Sequence, residues 1–332
     1  MINSELKLTH EINTLRRSPK IGRIYELYRE QCQYSIKEST QERQRKAWLS
    51  HLHVLDNTRA DKITPLEFQE LVLKQMFNEQ KYTSVIYLSR LIVQVLDFAV
   101  VIGVINSNPL SKLFSLPLIK RSSKLLKENL QHKKTLDYLN LNAELKKLIT
   151  DFDKKANSLQ NTLLEISLRT LLRPSEVVSL NKNDISLQDR WIAVKNTKTK
   201  REFLVPLTQS FLDVLIDAFV NFGNNDSGYI FAGKRDKQSH LSSQTLNKAL
   251  KDKGAGIHAH GCRSIGANFF ARHVKKVHPC IAAACLQHVS KYSSSVESAY
   301  RRDDYLYERR KAMELWNSFL DKIYTPIKAK RA

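Results

Sequence analysis

Four side chains in the C-terminal third of the sequence have the types and spacing needed to handle a phosphate group. His260 and Arg263 stand three residues apart, and His288 and Tyr300 follow them. A guanidinium binds phosphate oxygens, an imidazole moves protons near neutral pH, and a tyrosine hydroxyl can act as a nucleophile. A His-x-x-Arg pair alone arises by chance in most chains of this size. The hypothesis therefore depends on an arginine and a lysine earlier in the chain.

Both of these cations are present. Arg173 follows an apolar helical segment and precedes Pro174, which predicts a guanidinium held at a turn between two helices. Segments 191–194 and 202–205 are rich in β-forming residues and predict an antiparallel hairpin, with Lys198 in the connection between them. The six side chains together resemble one phosphate-handling set.

The charge balance points to a polyanionic partner. The 332 residues include 54 Lys and Arg against 33 Asp and Glu, a formal net charge of +21. This excess repels itself unless an anion compensates it, so nucleic acid is the expected partner. A basic protein that is merely kept soluble by its charge is the alternative. The length predicts roughly two domains, because single cores usually stop growing beyond about 250 residues.

Cysteine usage and hydropathy favour the cytoplasm. The four cysteines show no framework spacing, the N-terminus has no signal-peptide pattern, and the apolar run 91–105 is interrupted by Gln94 and Asp97. We therefore expect a cytoplasmic, nucleoid-associated protein with no membrane partner. A zinc site among His273, His278, Cys280, Cys285 and His288 is disfavoured, because the two cysteines point in different directions on a helix. Neither a metal nor another cofactor is expected.

The N-terminal half is predicted to be entirely helical. Residues 17–113 form a helical domain after a short extension, 1–16. One helix covers 41–54, with Trp48, Leu49 and Leu52 inward, and another begins at a Thr64 capping box and buries Phe68, Leu71 and Val72. A further helix is predicted over 82–105.

Residues 114–135 contain several cations and few regularly spaced apolar residues, which we interpret as a basic linker between domains. A merely solvated connection is an equally good interpretation. The side chains that we expect to follow a DNA backbone, here and elsewhere, are Arg43, Arg45, Lys46, Lys120, Arg121, Lys124, Lys200 and Arg201.

Residues 136–323 are predicted to form the second domain, with a basic tail over 324–332. Helices at about 140–172, 210–222, 243–251, 262–274, 279–287, 294–300 and 305–323 surround a small antiparallel sheet. Residues 229–231 are a candidate short strand. The predicted fold class is mainly α, with one helical domain and one mostly helical domain that carries the sheet.

These motifs resemble the tyrosine recombinases, in particular phage and genomic-island integrases. The resemblance rests on five ordered segments: Arg173 to Val177, Asn196 to Leu207, His260 to Arg263, Leu286 to His288 and Val296 to Arg302. It implies that residues from about 140 to 320 form the catalytic domain and that the helical half is the core-binding domain.

Three features depart from the family's pattern. Its members commonly have glycine two residues before the first arginine, where this chain has Leu171. They also commonly have glycine immediately before the second histidine, where this chain has Gln287. The interval from His288 to Tyr300 is also a few residues longer, with an insertion-like stretch over 291–295. Residues 1–16 are too short for the arm-binding domain of larger integrases.

The resemblance implies DNA cleavage by Tyr300 through a 3′-phosphotyrosyl bond, which requires no nucleotide cofactor or metal. Arg173 and Arg263 would stabilise the transition state, and Lys198 would protonate the leaving 5′ oxygen. His260 and His288 would handle protons or hold the phosphate. Glu176 would support the site by holding a neighbouring histidine or helix.

Some assignments keep rivals. Lys200 competes with Lys198, and His258 competes with His260 but lacks the three-residue step to Arg263. The tyrosines that compete with Tyr300 are Tyr292, Tyr305 and Tyr307.

The implied partners are double-stranded DNA attachment sites, three further protomers in a tetramer on DNA, and an excisionase or DNA-bending protein. The 305–323 helix or the tail could pack on a neighbouring protomer. The implied role is integration or excision of a mobile element. The alternatives are a DNA-binding protein of the same fold that is impaired in cleavage, and a topoisomerase-like relaxing enzyme.

Overall fold

The computed structural model of the protein describes residues 10, 12–32, 34–131, 140–152, 158–195, 202–288 and 305–329. The chain divides into two compact units, Met1–Lys133 and Lys134–Ala332, and each has its own buried core. The described part is mainly helical with one small sheet, so the predicted fold class is confirmed. The boundary between the units falls near the end of the segment predicted as a linker.

The regular elements of the first unit are helices throughout its described residues, apart from one isolated bridge between Lys20 and Arg59. Its principal helices are α1 (Ile21–Cys32), α2 (Glu38–Ala47), α3 (Pro65–Phe68), α4 (Lys74–Asn78), α5 (Tyr82–Val101) and α6 (Pro117–Gln131). Helix α3 begins at the predicted capping box, where the backbone N–H of Glu67 donates to Thr64 Oγ1 over 3.1 Å. Helix α5 is long and apolar enough to cross a membrane, but one of its faces forms the centre of this unit's core.

Two π-helical turns explain why two leucines that were predicted to face inward are exposed. Segments Trp48–Leu52 and Gln69–Leu73 are π-helical, so each inserts extra chain into the helical repeat. Side chains inside these turns are therefore rotated relative to a uniform 3.6-residue repeat. Leu49 and Leu71, both predicted to be buried, are 58% and 53% exposed, whereas Trp48 and Leu52 are buried as expected.

The segment predicted as a basic linker is largely helix α6. Pro117 occupies its first turn, where the missing N–H costs nothing. Ile119 and Ser122 are buried, and Ile119 belongs to the core of the first unit, while Lys120 and Lys124 face solvent. At the other end, Leu15 is buried in the same core, so the segment predicted as an extension contributes to the unit.

The second unit surrounds a three-stranded antiparallel sheet. Its helices are α7 (Leu141–Phe152), α8 (Leu159–Thr170), α9 (Pro174–Val178), α10 (Gln209–Phe222), α11 (Gln244–Asp252), α12 (Gly261–Arg272), α13 (Pro279–Cys285) and α14 (Leu306–Ala329). The strands β1 (Ile185–Ser186), β2 (Trp191–Val194) and β3 (Phe203–Pro206) are in that order. Val194 pairs with Phe203, as a hairpin requires. Tyr229 makes only an isolated bridge, so no strand forms at 229–231.

Helix α14 is an internal part of the second unit. Trp316 is fully buried, and its indole N–H donates to Leu168 O over 2.7 Å. Arg169 on α8, itself 3% exposed, pairs with Glu165 and with Asp321. The helix therefore packs its buried face on its own protomer, and a contact with a neighbouring protomer stays a prediction. It continues to Ala329 and buries Tyr324, so most of the predicted tail is helical.

A close contact joins α12 to the end of α8. A Cβ added at Gly266 would lie 2.5 Å from both Cδ atoms of Leu171, so the leucine occupies the space left by the missing side chain. Leu171 ends α8 in the left-handed conformation, with φ of 55°. The contact fixes the spacing of the elements that carry Arg173 and Arg263.

We predict that Gly266→Ala lowers the free energy of unfolding by about 1–3 kcal/mol, because the added methyl overlaps Leu171 in a packed core. Chemical denaturation of the purified proteins measures this. In a Leu171→Ala background the same substitution should cost much less. Gly261→Ala on the same helix is the control, since its Cβ would meet Ile257 at an ordinary 3.4 Å. Equal losses from Gly266→Ala in both backgrounds would contradict the proposed overlap.

Candidate active site

The first arginine of the site is held by the turn that follows α8. Arg173 precedes α9, Pro174 takes its first position, and Glu176 takes its third. The Glu176 carboxylate accepts the Arg173 backbone N–H over 2.9 Å and Arg173 Nη1 over 2.7 Å. The local sequence Arg-Pro-Ser-Glu therefore starts a helix and orients a guanidinium with the same carboxylate.

The second arginine joins two helix ends. Arg263, on the first turn of α12, is 3% exposed. Its Nη1 donates to Leu171 O at the end of α8, and its Nη2 donates to Leu286 O just after α13. A guanidinium is favourable there because helix C-termini carry unpaired carbonyls and partial negative charge. Arg263 Nε is buried without a hydrogen-bond partner among the described residues.

The end of α13 carries the second histidine. Gln287 adopts the left-handed conformation, with φ of 51°. The N–H of His288 donates to Ala283 O over 2.9 Å, and that of Gln287 donates to Ala284 O over 3.0 Å. This is the hydrogen-bond pattern of a Schellman cap, whose left-handed position usually holds glycine. The cap turns the chain so that His288 leaves the helix beside the two arginines.

The side chain of Gln287 is part of the site. Its Oε1 accepts from Arg173 Nη1, and its Nε2 donates to Glu176 Oε2 over 2.9 Å. Glu176, which is 1% exposed, therefore receives hydrogen bonds from both residues. Glu176 thus contacts Arg173 and the Gln287 cap of α13, and its role of holding a histidine or a helix stays a prediction. The sequence signal for Gln287 was its departure from the glycine that is common in the family.

The electrostatics of the site favour negative charge. Burial, and then the neighbouring Arg173, lower the pKa of Arg263 to about 10, although Glu176 opposes this. Partial burial lowers the pKa of His288 below its usual value, and Arg263, Arg173 and His260 add to the effect. These effects favour the neutral imidazole, which is the form that can accept a proton. His260, exposed at the start of α12, contributes to the same field.

The structure thus brings together Arg173, Glu176, His260, Arg263 and His288. Lys198, its rival Lys200 and Arg201 lie outside the described residues, as does Tyr300 with its rival Tyr292. Of the other rivals, Tyr307 on α14 is 64% exposed. His258 is exposed two residues before His260.

The side chains expected to bind DNA from the first unit are on helical surfaces. Arg45 and Lys46 both pair with Glu42, over 2.8 and 3.4 Å. Arg43 lies over the Tyr87 ring, 4.2 Å from its centroid. On α6, Arg121 lies over the ring of Phe77, and Lys124 is 3.9 Å from Glu128. Their role on DNA remains a prediction.

Comparison with solved structures identifies relatives of the fold. The chain is similar to a lambda integrase fragment in a dimer bound to a COC′ core site, with a TM-score of 0.63 and 19% identity over 85% of this chain and 95% of that one. It is also similar to a lambda integrase tetramer bound to a Holliday junction, with a TM-score of 0.61 and 17% identity over 85% of this chain and 77% of that one. At these identities the likeness shows the fold.

The sequence comparisons are more specific. The phage integrase family model matches residues 139–304, half of the chain, and the chain therefore belongs to that family. It is 33% identical over 153 residues to prophage integrase IntA of Escherichia coli. That match covers 45% of this chain and 36% of IntA, so the chain matches about a third of that relative's length.

The electrostatic coupling around His288 can be measured. We predict that the imidazole of His288 titrates below the ordinary histidine pKa of about 6.5, and that Arg173→Gln raises this pKa because it removes a neighbouring positive charge. Histidine NMR signals followed against pH provide the measurement. Arg235→Gln, which removes an exposed arginine that is not among the groups acting on His288, is the control. An unchanged pKa in Arg173→Gln would contradict the coupling.

Proposed function

We propose that the chain is a site-specific DNA recombinase that cleaves and rejoins DNA through a 3′-phosphotyrosyl intermediate. The observation that carries the proposal is a pair of held guanidiniums beside a histidine, with donors that have no partner among the described residues. Arg173 and Arg263 are close enough for each to affect the site's electrostatics. Family membership and the fold support the same conclusion.

The unpaired donors suit a phosphate. Both side-chain hydrogen bonds of Arg173 use Nη1, so Nη2 and Nε have no partner among the described residues. Arg263 Nε is likewise unpaired there, and a buried N–H without a partner is costly. Non-bridging phosphate oxygens would satisfy these donors. Their charge grows as phosphorus becomes five-coordinate, so the two arginines would stabilise the transition state more than the ground state.

The proposed proton transfers use the remaining predicted residues. Tyr300 Oη attacks the phosphorus and its proton passes to His288, whose lowered pKa favours the neutral form that can accept it. The 5′ oxygen leaves with a proton from Lys198. The phosphotyrosyl bond conserves the energy of the broken linkage, so attack by a new 5′ hydroxyl reverses the step. His260 would hydrogen-bond the phosphate.

The proposed substrate is a double-stranded attachment site, and the proposed role is to integrate or excise a mobile element. The lambda integrase structures contain a DNA-bound dimer and a tetramer on a Holliday junction. For this chain we propose a tetramer that pairs two sites, in the cytoplasm, with a DNA-bending or excisionase protein as a further partner. The cations of α2 and α6 would contact the DNA backbone.

We predict that Tyr300→Phe abolishes the covalent adduct but leaves DNA binding intact, because it removes only the nucleophilic oxygen. The duplex is found by recovering the fragments of the source genome that the protein retains. It is then rebuilt with a nick, so that the cleaved strand diffuses away and the adduct accumulates. Denaturing gels measure the adduct. Tyr307→Phe, on an exposed tyrosine of α14, is the control. Specific binding by the wild type without any adduct would refute the proposal.

We predict that Arg173→Lys slows cleavage of that duplex by about 10²–10³-fold, the usual cost of losing one transition-state donor. The ammonium keeps the charge but loses the fork geometry. DNA affinity, measured by fluorescence anisotropy, should change little. Arg235→Lys is the matched exposed control. A loss of affinity as large as the loss of rate would instead assign Arg173 to substrate binding alone.

A further inference from the structure

Gln287 is a residue of the site to which the proposed mechanism gives no task. It hydrogen-bonds two residues more than a hundred positions earlier in the chain, Arg173 and Glu176. Its amide oxygen faces the guanidinium and its amide nitrogen faces the carboxylate. This is the orientation in which each atom meets a partner of the opposite kind. Arg173, Glu176 and Gln287 thus form a closed triangle of hydrogen bonds.

The triangle determines which edge of the guanidinium remains available. The two protons of Arg173 Nη1 go to Glu176 Oε1 and Gln287 Oε1. The edge formed by Nη2 and Nε stays unpaired within the described chain. If Glu176 were the only partner, it would hold Nη1 through one contact, and the guanidinium could still rotate about that contact. Gln287 Oε1, which follows a different helix, is a second acceptor for the same nitrogen and removes that freedom.

We propose that Gln287 is a positioning residue, which locks the Arg173 guanidinium so that its Nη2–Nε edge faces the scissile phosphate. The inference rests on the proposed recombinase function. Gln287 does not touch the DNA and acts through Arg173. Because the lock is already formed without DNA, the arginine meets the phosphate with little reorganisation.

The backbone at this position gives the proposal a distinctive test. Gln287 has a φ of 51°, a conformation that disfavours side chains and that glycine adopts freely. Gln287→Gly therefore removes both the lock and the backbone strain. Heat resistance should be retained or improved while cleavage becomes slower. A residue with a merely structural role would lose stability and activity together.

The experiment compares Gln287→Gly with Gln80→Gly. Gln80 is an exposed glutamine of the first unit with nearly the same backbone conformation, φ of 57°, and it is not part of the site. On the nicked duplex, single-turnover cleavage by Gln287→Gly should fall roughly tenfold to a hundredfold, as expected for a misplaced catalytic group. DNA affinity should stay unchanged. Gln80→Gly should show the same direction of thermal shift and the wild-type rate.

Gln287→Glu adds a pH-dependent test. It keeps the chain length and the acceptor for Arg173, but it places a second carboxylate against Glu176. Gln287→Glu loses the amide N–H that donates to Glu176, and a proton shared between the two carboxylates would replace it. Repulsion between the two carboxylates raises the pKa of the pair and so favours uptake of this proton. The cleavage rate relative to wild type should therefore recover as the pH is lowered.

The inference and the recombinase proposal fail in different ways. If the wild type binds its duplex but forms no adduct, the recombinase proposal fails. If the wild type cleaves and Gln287→Gly cleaves equally fast, only the positioning role fails. A slower rate accompanied by an equal loss of DNA affinity or by a lower melting temperature would also overturn the positioning role.

Discussion

The two hydrogen bonds from Arg263 to backbone carbonyls are the interaction on which the site depends. Leu171 and Leu286 lie at the ends of two helices that are far apart in sequence. The buried guanidinium donates a hydrogen bond to the backbone oxygen of each. An arginine sequestered in this way would be costly if its charge were not met by carbonyl dipoles. The same contacts hold the turns that present Arg173 and His288. Arg263 is thus a structural link between two helix ends as well as a candidate for phosphate binding.

Both of those turns require left-handed backbone, and this chain forms them without glycine. The two residues that replace glycine use their side chains to make contacts that glycine could not make. Leu171 fills the space above Gly266, and Gln287 bonds Arg173 and Glu176. The conformational cost of a left-handed residue, about 1–2 kcal/mol, is of the same order as one good packing or charge-assisted hydrogen-bonding contact. Two departures from the family's pattern therefore become two local solutions to one backbone requirement.

Much of the fold follows from local sequence, and the failures have physical causes. The strands at 191–194 and 203–206, the Thr64 cap and the Arg173 turn depend on neighbouring residues, so short-range patterns predicted them. The exposure of Leu49 depends on a π-helical turn, which periodicity alone does not reveal. Helix α6 was interpreted as a linker because of its cations and because its apolar residues follow no regular spacing, yet Ile119 buries one face of it. Gln287 was noticed as an exception, but its contacts join elements that only the tertiary structure brings together.

The buried position of Trp316 bears on the order in which the protein is made. The first unit has a complete core within residues 1–133 and can fold while the rest of the chain is still being synthesised. The core of the second unit stays open until the ribosome has delivered α14, because Trp316 and Leu320 occupy its interior. Folding of the second unit is therefore the later event. In a nascent chain the helical unit would be complete well before the unit that holds Arg173, Arg263 and His288.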